Sequence, residues 1–322
     1  MSFVSSAVQG VFEQGQFCAV ATTTPSGPHC TPLVFAYSGA RIWLTTSRGS
    51  VKDRAWKADP AVSGLIRHDG LAVAFTGSVR TYDALDRATW SAAVAGATSI
   101  ARATAGFSRK NAPFFSGSTK DAHKVPLAWV PPGRVFVGID IERTALLDDA
   151  GVQEGRGRWG AEAGAGSHDT FRASRSGHDP LAGLPPEVAP ASVHPGDGAL
   201  TLLGEHGEVV LPVRWGVDGS ALYAVLPQEI LALAAAEPDA PAALTVAEEG
   251  PWRATEMRGA MFQGTASSFL LDGLGRGGRS ASSIAEAIAG NTGRVVPTAL
   301  VRIEPSRIVW WDGWSTGTIE PT

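Results

Sequence analysis

The chain has 322 residues, 44% of them hydrophobic and 18% charged, with a formal net charge of −4. That length favours two domains, each able to bury a core, and the ordinary composition excludes a disordered or fibrous protein. A pI near 6.0 and the lack of any basic stripe argue against a nucleic-acid partner. No apolar run approaches the roughly 18 residues of a membrane span.

The first residues, 1–15, lack the positive start and continuous apolar core of a signal peptide, so a cytoplasmic home is expected. Val4, Val8, Val11 and Phe12 instead mark a short helical stripe. Phe17 to Thr23 reads as a strand, Pro25-Ser26-Gly27 as a turn, and Pro32 to Tyr37 as the returning strand; Ser38-Gly39 then turns into Ile42 to Leu44. In that hairpin Cys18 faces Leu33 and Cys30 faces Ala21. The only two cysteines are therefore not partners, fit no metal spacing, and are expected to be buried thiols. Next comes Thr46-Ser47-Arg48-Gly49-Ser50-Val51-Lys52 at a strand-to-helix turn, with Asp59-Pro60 as the helix stop. Small hydroxyls, a glycine and a lysine in that setting can wrap a dianionic phosphate; an ordinary polar turn with a solvated lysine is the alternative. Leu71 to Arg80 and Val135 to Ile141 supply further strands. Between them the stretch 100–126 interleaves Arg102, Arg109, Lys110, Lys120 and Lys124 with Phe107, Phe114 and Phe115. It reads as a lid over a pocket, as a holder for a cofactor tail, or as a solvated loop.

Asp148 to Gly198 is rich in Gly, Ala, Ser, Asp, Pro and Arg and reads as a linker, with a short ordered piece near Leu181 to Val188. The strand-turn pattern then starts again: Ala199 to Leu203, Glu205-His206-Gly207, Val209 to Val217, Asp218-Gly219, Ala221 to Val225. Pro32 falls on Pro212, Gly39 on Gly219 and Asp59 on Asp239, all by one offset. Trp252 to Ala266 and Thr298 to Trp311 complete this half. About six strands per half predict a mainly β (α+β) protein with short helices, built as two tandem antiparallel barrels. The expected organisation is a first barrel over 1–147, a linker over 148–197 and a second barrel over 198–322. Gly273 to Ser280 has the look of a phosphate cradle but follows no clean strand, so a flexible loop is expected. The seven histidines are scattered, with no Ser-His-Asp set and no metal geometry, so neither a catalytic residue nor a metal ligand is named.

Leu44-Thr45-Thr46, Gly49-Ser50-Val51-Lys52 and Asp59-Pro60-Ala61-Val62-Ser63 together resemble the pyridoxamine 5′-phosphate oxidase-like family. These are FMN-binding split β-barrels, with relatives that bind the deazaflavin F420. Ala19 to Thr22 and Gly27 to Val34 resemble that family's first hairpin, and the strong part covers about residues 10–83. The resemblance implies that Thr46, Ser50 and Lys52, with their neighbours Thr45, Ser47 and Val51, hold a flavin phosphate. Val51 stands where the family often has arginine, which weakens the grip. Ile308-Val309-Trp310-Trp311-Asp312-Gly313 resembles the late strand ending in Trp-x-Gly that the family sets against the partner subunit's flavin. It implies that Trp311 covers the ring beside Gly313, with Pro32 and Val34 bordering it and Arg258 approaching from the second half. Trp310 faces the other way. The substrate-gripping Arg-Leu-His-type segment of true pyridoxamine phosphate oxidases is replaced by Trp314-Ser315-Thr316-Gly317-Thr318-Ile319, so vitamin B6 phosphate oxidation is not expected.

The first half has the phosphate turn but no Trp-x-Gly. The second has Trp311 and Gly313, but its turn, Val225 to Ala232, carries Glu229 and no cation. Since family members work as homodimers, the chain resembles such a dimer fused into one polypeptide, an intramolecular pseudo-dimer with one intact site. One cofactor per chain is expected: FMN, or alternatively F420, with haem as a third choice. The expected activity is hydride transfer to or from an unknown small molecule, and the alternative is a non-catalytic flavin or haem carrier. The chain is expected to be monomeric or weakly self-associating.

Overall fold

The computed structural model describes residues 4–120, 133–160, 166–172, 179–189, 196–219, 221–248, 253–274, 278–290 and 298–321. After helix α1 (Ser6–Gln14), strands β1 (Phe17–Thr24), β2 (Gly27–Ser38) and β3 (Arg41–Ser47) lead into helix α2 (Val51–Ala58). Strands β4 (Ala61–His68) and β5 (Leu71–Tyr82) follow, then helices α3 (Trp90–Ala95) and α4 (Ala97–Lys120), then β6 (Arg134–Asp148) and β7 (Gly151–Arg156). The sheet order is β3-β2-β1-β4-β5-β6-β7, and pairing of β3 with β6 closes six strands into a barrel with β7 on its rim.

The second half repeats this plan with β8 (Gly196–Gly204), β9 (Gly207–Asp218), β10 (Ala221–Leu226), helix α5 (Gln228–Ala232), β11 (Asp239–Ala247) and β12 (Arg258–Leu270). Helix α6 (Gly278–Ala289), β13 (Ala299–Asp312) and β14 (Ser315–Ile319) complete it. The strand order is the same, closed by β10 with β13. The architecture is two tandem split β-barrels.

Local chemistry explains the repeated shape. Each long hairpin pair carries one bulge, at Thr76/Gly77 in the first barrel and Gln263/Gly264 in the second. A Cβ on Gly77 would lie 2.2 Å from the Asp140 carbonyl oxygen, and one on Gly264 would lie 2.0 Å from that of Glu304. Only glycine tolerates so close a backbone approach where the strand bends to close a barrel. Within β2 the alternation is strict: Leu33 and Phe35 pack in the first barrel's core, while Val34 and Ala36 pack outside it.

The two barrels meet reciprocally, β2 packing on β11 and β12, and its counterpart β9 on β4 and β5. One apolar core runs through the contact, with Ala21, Cys30, Leu65 and Ala74 beside Leu200, Val210 and Leu244. Polar ties cross it too. Gln263 Nε2 donates to the Pro28 carbonyl at 2.7 Å, Thr245 Oγ1 to the Cys30 carbonyl at 2.9 Å, and Thr23 Oγ1 to the Glu208 carboxylate.

The hairpin register pairs Cys18 with Leu33 and Cys30 with Ala21, and both cysteines are buried and free. β7 carries the first sheet beyond residue 147 into the stretch read as linker. Its tight turn forms because Asp148 Oδ1 accepts from Ala150 N at 2.8 Å and Gly151 N at 3.1 Å. The described part of the 84–126 insertion is helical over Trp90–Ala95 and Ala97–Lys120 rather than a solvated loop, because Phe107 and Phe114 bury themselves against the barrel. Lys124, Trp252, His178, His194 and Gly275 to Gly277 lie outside the described residues, as do the side chains of Phe115 and Lys120. Among the described residues no helix is long and apolar enough to cross a membrane.

Candidate functional site

The turn from β3 into α2 is organised by its hydroxyls. Ser50 caps α2, its Oγ accepting from Asp53 N at 3.2 Å, and Thr46 Oγ1 lies 3.0 Å from Ser50 Oγ. Strand alternation sends Thr45 and Ser47 to the opposite face. There the Arg134 guanidinium donates to Thr45 Oγ1 at 2.6 Å and to Ser47 Oγ at 3.1 Å, and burial lowers that guanidinium to about 10. Thr45 and Ser47 are thus committed elsewhere, and Val51, 39% exposed, faces solvent.

Lys52 is different. It is 5% exposed, and its ammonium donates to Thr31 Oγ1 of β2. Among the described residues no carboxylate pairs with it, and burial pulls it from 10.5 down to about 8. His29 lies two residues before Thr31 on the same face of β2. Its imidazole is pressed down to about 3 by burial, by Lys52 and by Arg307 of β13. Arg307 sits opposite Gln263 in the ladder. Its Nε and the Gln263 Oε1 are buried without a hydrogen-bond partner among the described residues.

Pro32, one residue after Thr31, points the other way, into a cleft of about 280 Å³ between the barrels. Leu65, Arg67, Thr245, Met257 and Arg258 also line that cleft. Val34 does not reach it, being covered by Phe107 and Phe114 of α4 together with Ala254. Asn111 fastens that helix, donating to the Phe35 carbonyl at 3.2 Å. Trp311 is 9% exposed and packs on Ala243 and Met261, with Met257 between it and the cleft. Gly313 adopts φ +56° and donates to the Met257 carbonyl at 2.8 Å, while Arg258 pairs with Asp312 at 2.9 Å.

The structure therefore gathers Thr46, Ser50 and Lys52 at one place and Pro32 with Arg258 at another, with β2 running between them. Val34 and Trp311 border neither open space directly. His29, Thr31, Gln263 and Arg307 escaped the sequence reading. The signal available for Arg307 was its place in the repeat, since it and Arg143 stand opposite the two bulges.

The equivalent position in the second barrel lacks these donors. Leu226, Ile230 and Ala232 replace Thr46, Ser50 and Lys52 in the repeat and are buried. Arg143 donates to Thr76 Oγ1 at 2.7 Å and to the Arg158 and His206 carbonyls, with its guanidinium 5.2 Å from the buried Trp159 ring. A more polar cleft of about 360 Å³ opens at this position, lined by Arg67, His68, Arg214, Leu226, Pro227 and Ile230. Among the described residues no cluster could hold a metal ion.

No protein-family profile matches the sequence, and no curated protein does. Among solved structures, the chain is similar to an FAD-binding protein from Mesorhizobium loti at 19% identity, over 44% of this chain and 94% of the other, with a TM-score of 0.32. An F420 reductase matches at 18% identity over 44% of this chain and 98% of its own, with a TM-score of 0.29. The haem storage protein HutZ from Vibrio cholerae matches at 12% identity, covering 44% and 92%, with a TM-score of 0.31.

Proposed function

We propose that the chain binds one phosphate-bearing flavin-type cofactor, FMN or F420, and transfers hydride to or from a small molecule as an oxidoreductase. The observation that carries this reading is Lys52, a buried ammonium with no carboxylate mate, beside Thr31 and the hydroxyl pair Thr46 and Ser50. An ion in that setting is costly until an anion joins it, and a phosphate dianion is the natural complement. Thr46, Ser50 and Lys52 would hold the phosphate, and the cleft at Pro32 and Arg258, on the other side of β2, is a space that both barrels line. When bound, such a cofactor supplies a ring that accepts or delivers hydride. The chain's part is to neutralise the phosphate, position the ring between barrels and exclude water. The loss of the lysine and both hydroxyls at the second position, where Leu226, Ile230 and Ala232 stand, supports one cofactor per chain, in an assembly that needs no second subunit.

A non-catalytic carrier is the second reading. For haem it is disfavoured, because among the described residues no histidine or cysteine lines the cleft at Pro32, and both cysteine thiols are buried and raised by burial. The test is the absorption spectrum and ligand mass of the purified protein, followed by addition of NAD(P)H or another hydride donor. Bound FMN or F420 that is reduced and then reoxidised by a small-molecule acceptor supports the enzyme. Bound flavin without turnover supports the carrier, and a protein that takes up neither cofactor overturns both.

A further inference from the structure

The phosphate turn has only one cation not committed to a carboxylate, since Arg48 pairs with Asp83, Val51 faces solvent and Arg134 is spent on Thr45 and Ser47. The geometry points to Arg307, from the second barrel, as the second cation of this anion site, reaching across the interface to join Lys52 and His29 around a phosphate monoester. The inference rests on the phosphate reading above and assigns that site a residue from the other half of the chain.

Four observations carry it. Arg307 stands in β13 opposite Gln263, whose amide donates to the Pro28 carbonyl at 2.7 Å, so the strand pair is tied to the hairpin that bears His29. His29 and Thr31 share a face of β2, and Thr31 is the hydroxyl that Lys52 contacts. Arg307 makes no ion pair or hydrogen bond among the described residues, and its Nε and the neighbouring Gln263 Oε1 are both buried and unpartnered. Its repeat-mate Arg143 shows what a structural arginine does here: three hydrogen bonds and a tryptophan beneath it. One copy of the arginine is spent on the fold and the other is not.

His29 fits the same assignment. Burial, with Lys52 and Arg307 adding to it, holds its imidazole neutral in the free protein, so one ring nitrogen carries a proton that can be donated to an anion. Glu208, the carboxylate at this hairpin, is engaged by Thr23 rather than by either cation.

The test compares wild type, Arg307→Gln, Arg307→Lys and Lys52→Ala with three probes: FMN, riboflavin (which lacks the phosphate) and inorganic phosphate. Binding is read by flavin fluorescence and by phosphate-induced shift of the melting temperature. Arg307→Gln should weaken FMN about ten- to a hundredfold, leave riboflavin unchanged and abolish the phosphate-induced shift. Arg307→Lys should recover part of the loss. Imidazole NMR should show His29 gaining a proton in the neutral pH range when phosphate binds to wild type but not to Arg307→Gln. If Arg307→Gln binds FMN and phosphate like wild type while Lys52→Ala loses both, Arg307 is not a ligand and the flavin reading stands. If wild type binds no flavin yet phosphate raises its melting temperature through Arg307, the cross-barrel anion site stands and the flavin reading falls. No response to phosphate or FMN in wild type removes both.

Discussion

Replacing Lys52 by methionine should make the ligand-free protein more stable while destroying its anion site. Lys52 is 5% exposed and drawn from 10.5 to about 8 by burial, with no carboxylate to offset the charge. That displacement corresponds to about 3 kcal/mol of destabilisation at pH 7, using about 1.4 kcal/mol per pKa unit. Methionine keeps the length of the stem without the charge, and the lost bond to Thr31 returns about 1 kcal/mol of the gain. Lys52→Met should therefore unfold about 2 kcal/mol later than wild type at pH 7 without ligand. The sign is fixed by linkage. A base whose folded pKa is depressed binds fewer protons in the native state, so wild type gains stability as pH rises from about 8 towards 10.5. The variant's advantage should be flat below pH 8 and shrink above it. Saturating FMN or phosphate should invert the order, since ligand at a hundred times its dissociation constant adds about 2.7 kcal/mol to wild type alone. Urea midpoints at pH 7 and pH 10, each with and without ligand, read all of this. A ligand-free Lys52→Met less stable than wild type at pH 7 would refute the reasoning, because the lysine would then be a structural member rather than a strained one.

Glu208 is 8% exposed and raised from 4.5 to about 7 by burial, despite accepting from Thr23. An acid with a raised folded pKa binds more protons when native, so stability should fall as pH rises from about 4.5 to 7; Glu208→Gln should flatten that slope in urea titrations across the window. Gly264→Ala should cost about 1–3 kcal/mol or more, since its Cβ would meet the Glu304 carbonyl oxygen at 2.0 Å; a melting temperature within a degree of wild type would contradict the close approach. Trp159→Ala should cost about 3–5 kcal/mol, because this 7%-exposed ring packs in the shared core beneath Arg143. It should not create a second flavin site, as equilibrium dialysis of the variant against FMN would show, because Leu226, Ile230 and Ala232 offer no donor there.

Much of the barrel plan was legible in the residues because strands announce themselves locally. The turn pairs Ser38-Gly39 and Asp218-Gly219, the alternation along β2, and the single offset linking Pro32 with Pro212 all depend on neighbours a few positions apart. The hydroxyls and lysine of the 46–52 turn were legible for the same reason: a helix N-terminus needs its cap close in sequence. The insertion was not. Its phenylalanines gain burial only against β2 and Ala254, contacts far along the chain that composition does not encode.

The sequence by itself determined that there are two barrels, where the turns fall, and which half retains a cation. Only the tertiary structure decided what each side chain meets: that Thr45 and Ser47 serve Arg134 within the first barrel, that Val34 lies beneath α4, and that Arg307 of the second barrel is left unspent beside His29. Burial and pairing of polar groups depend on what the opposite barrel brings within a few ångströms. That proximity is set by packing two closed sheets against each other rather than by spacing along one strand.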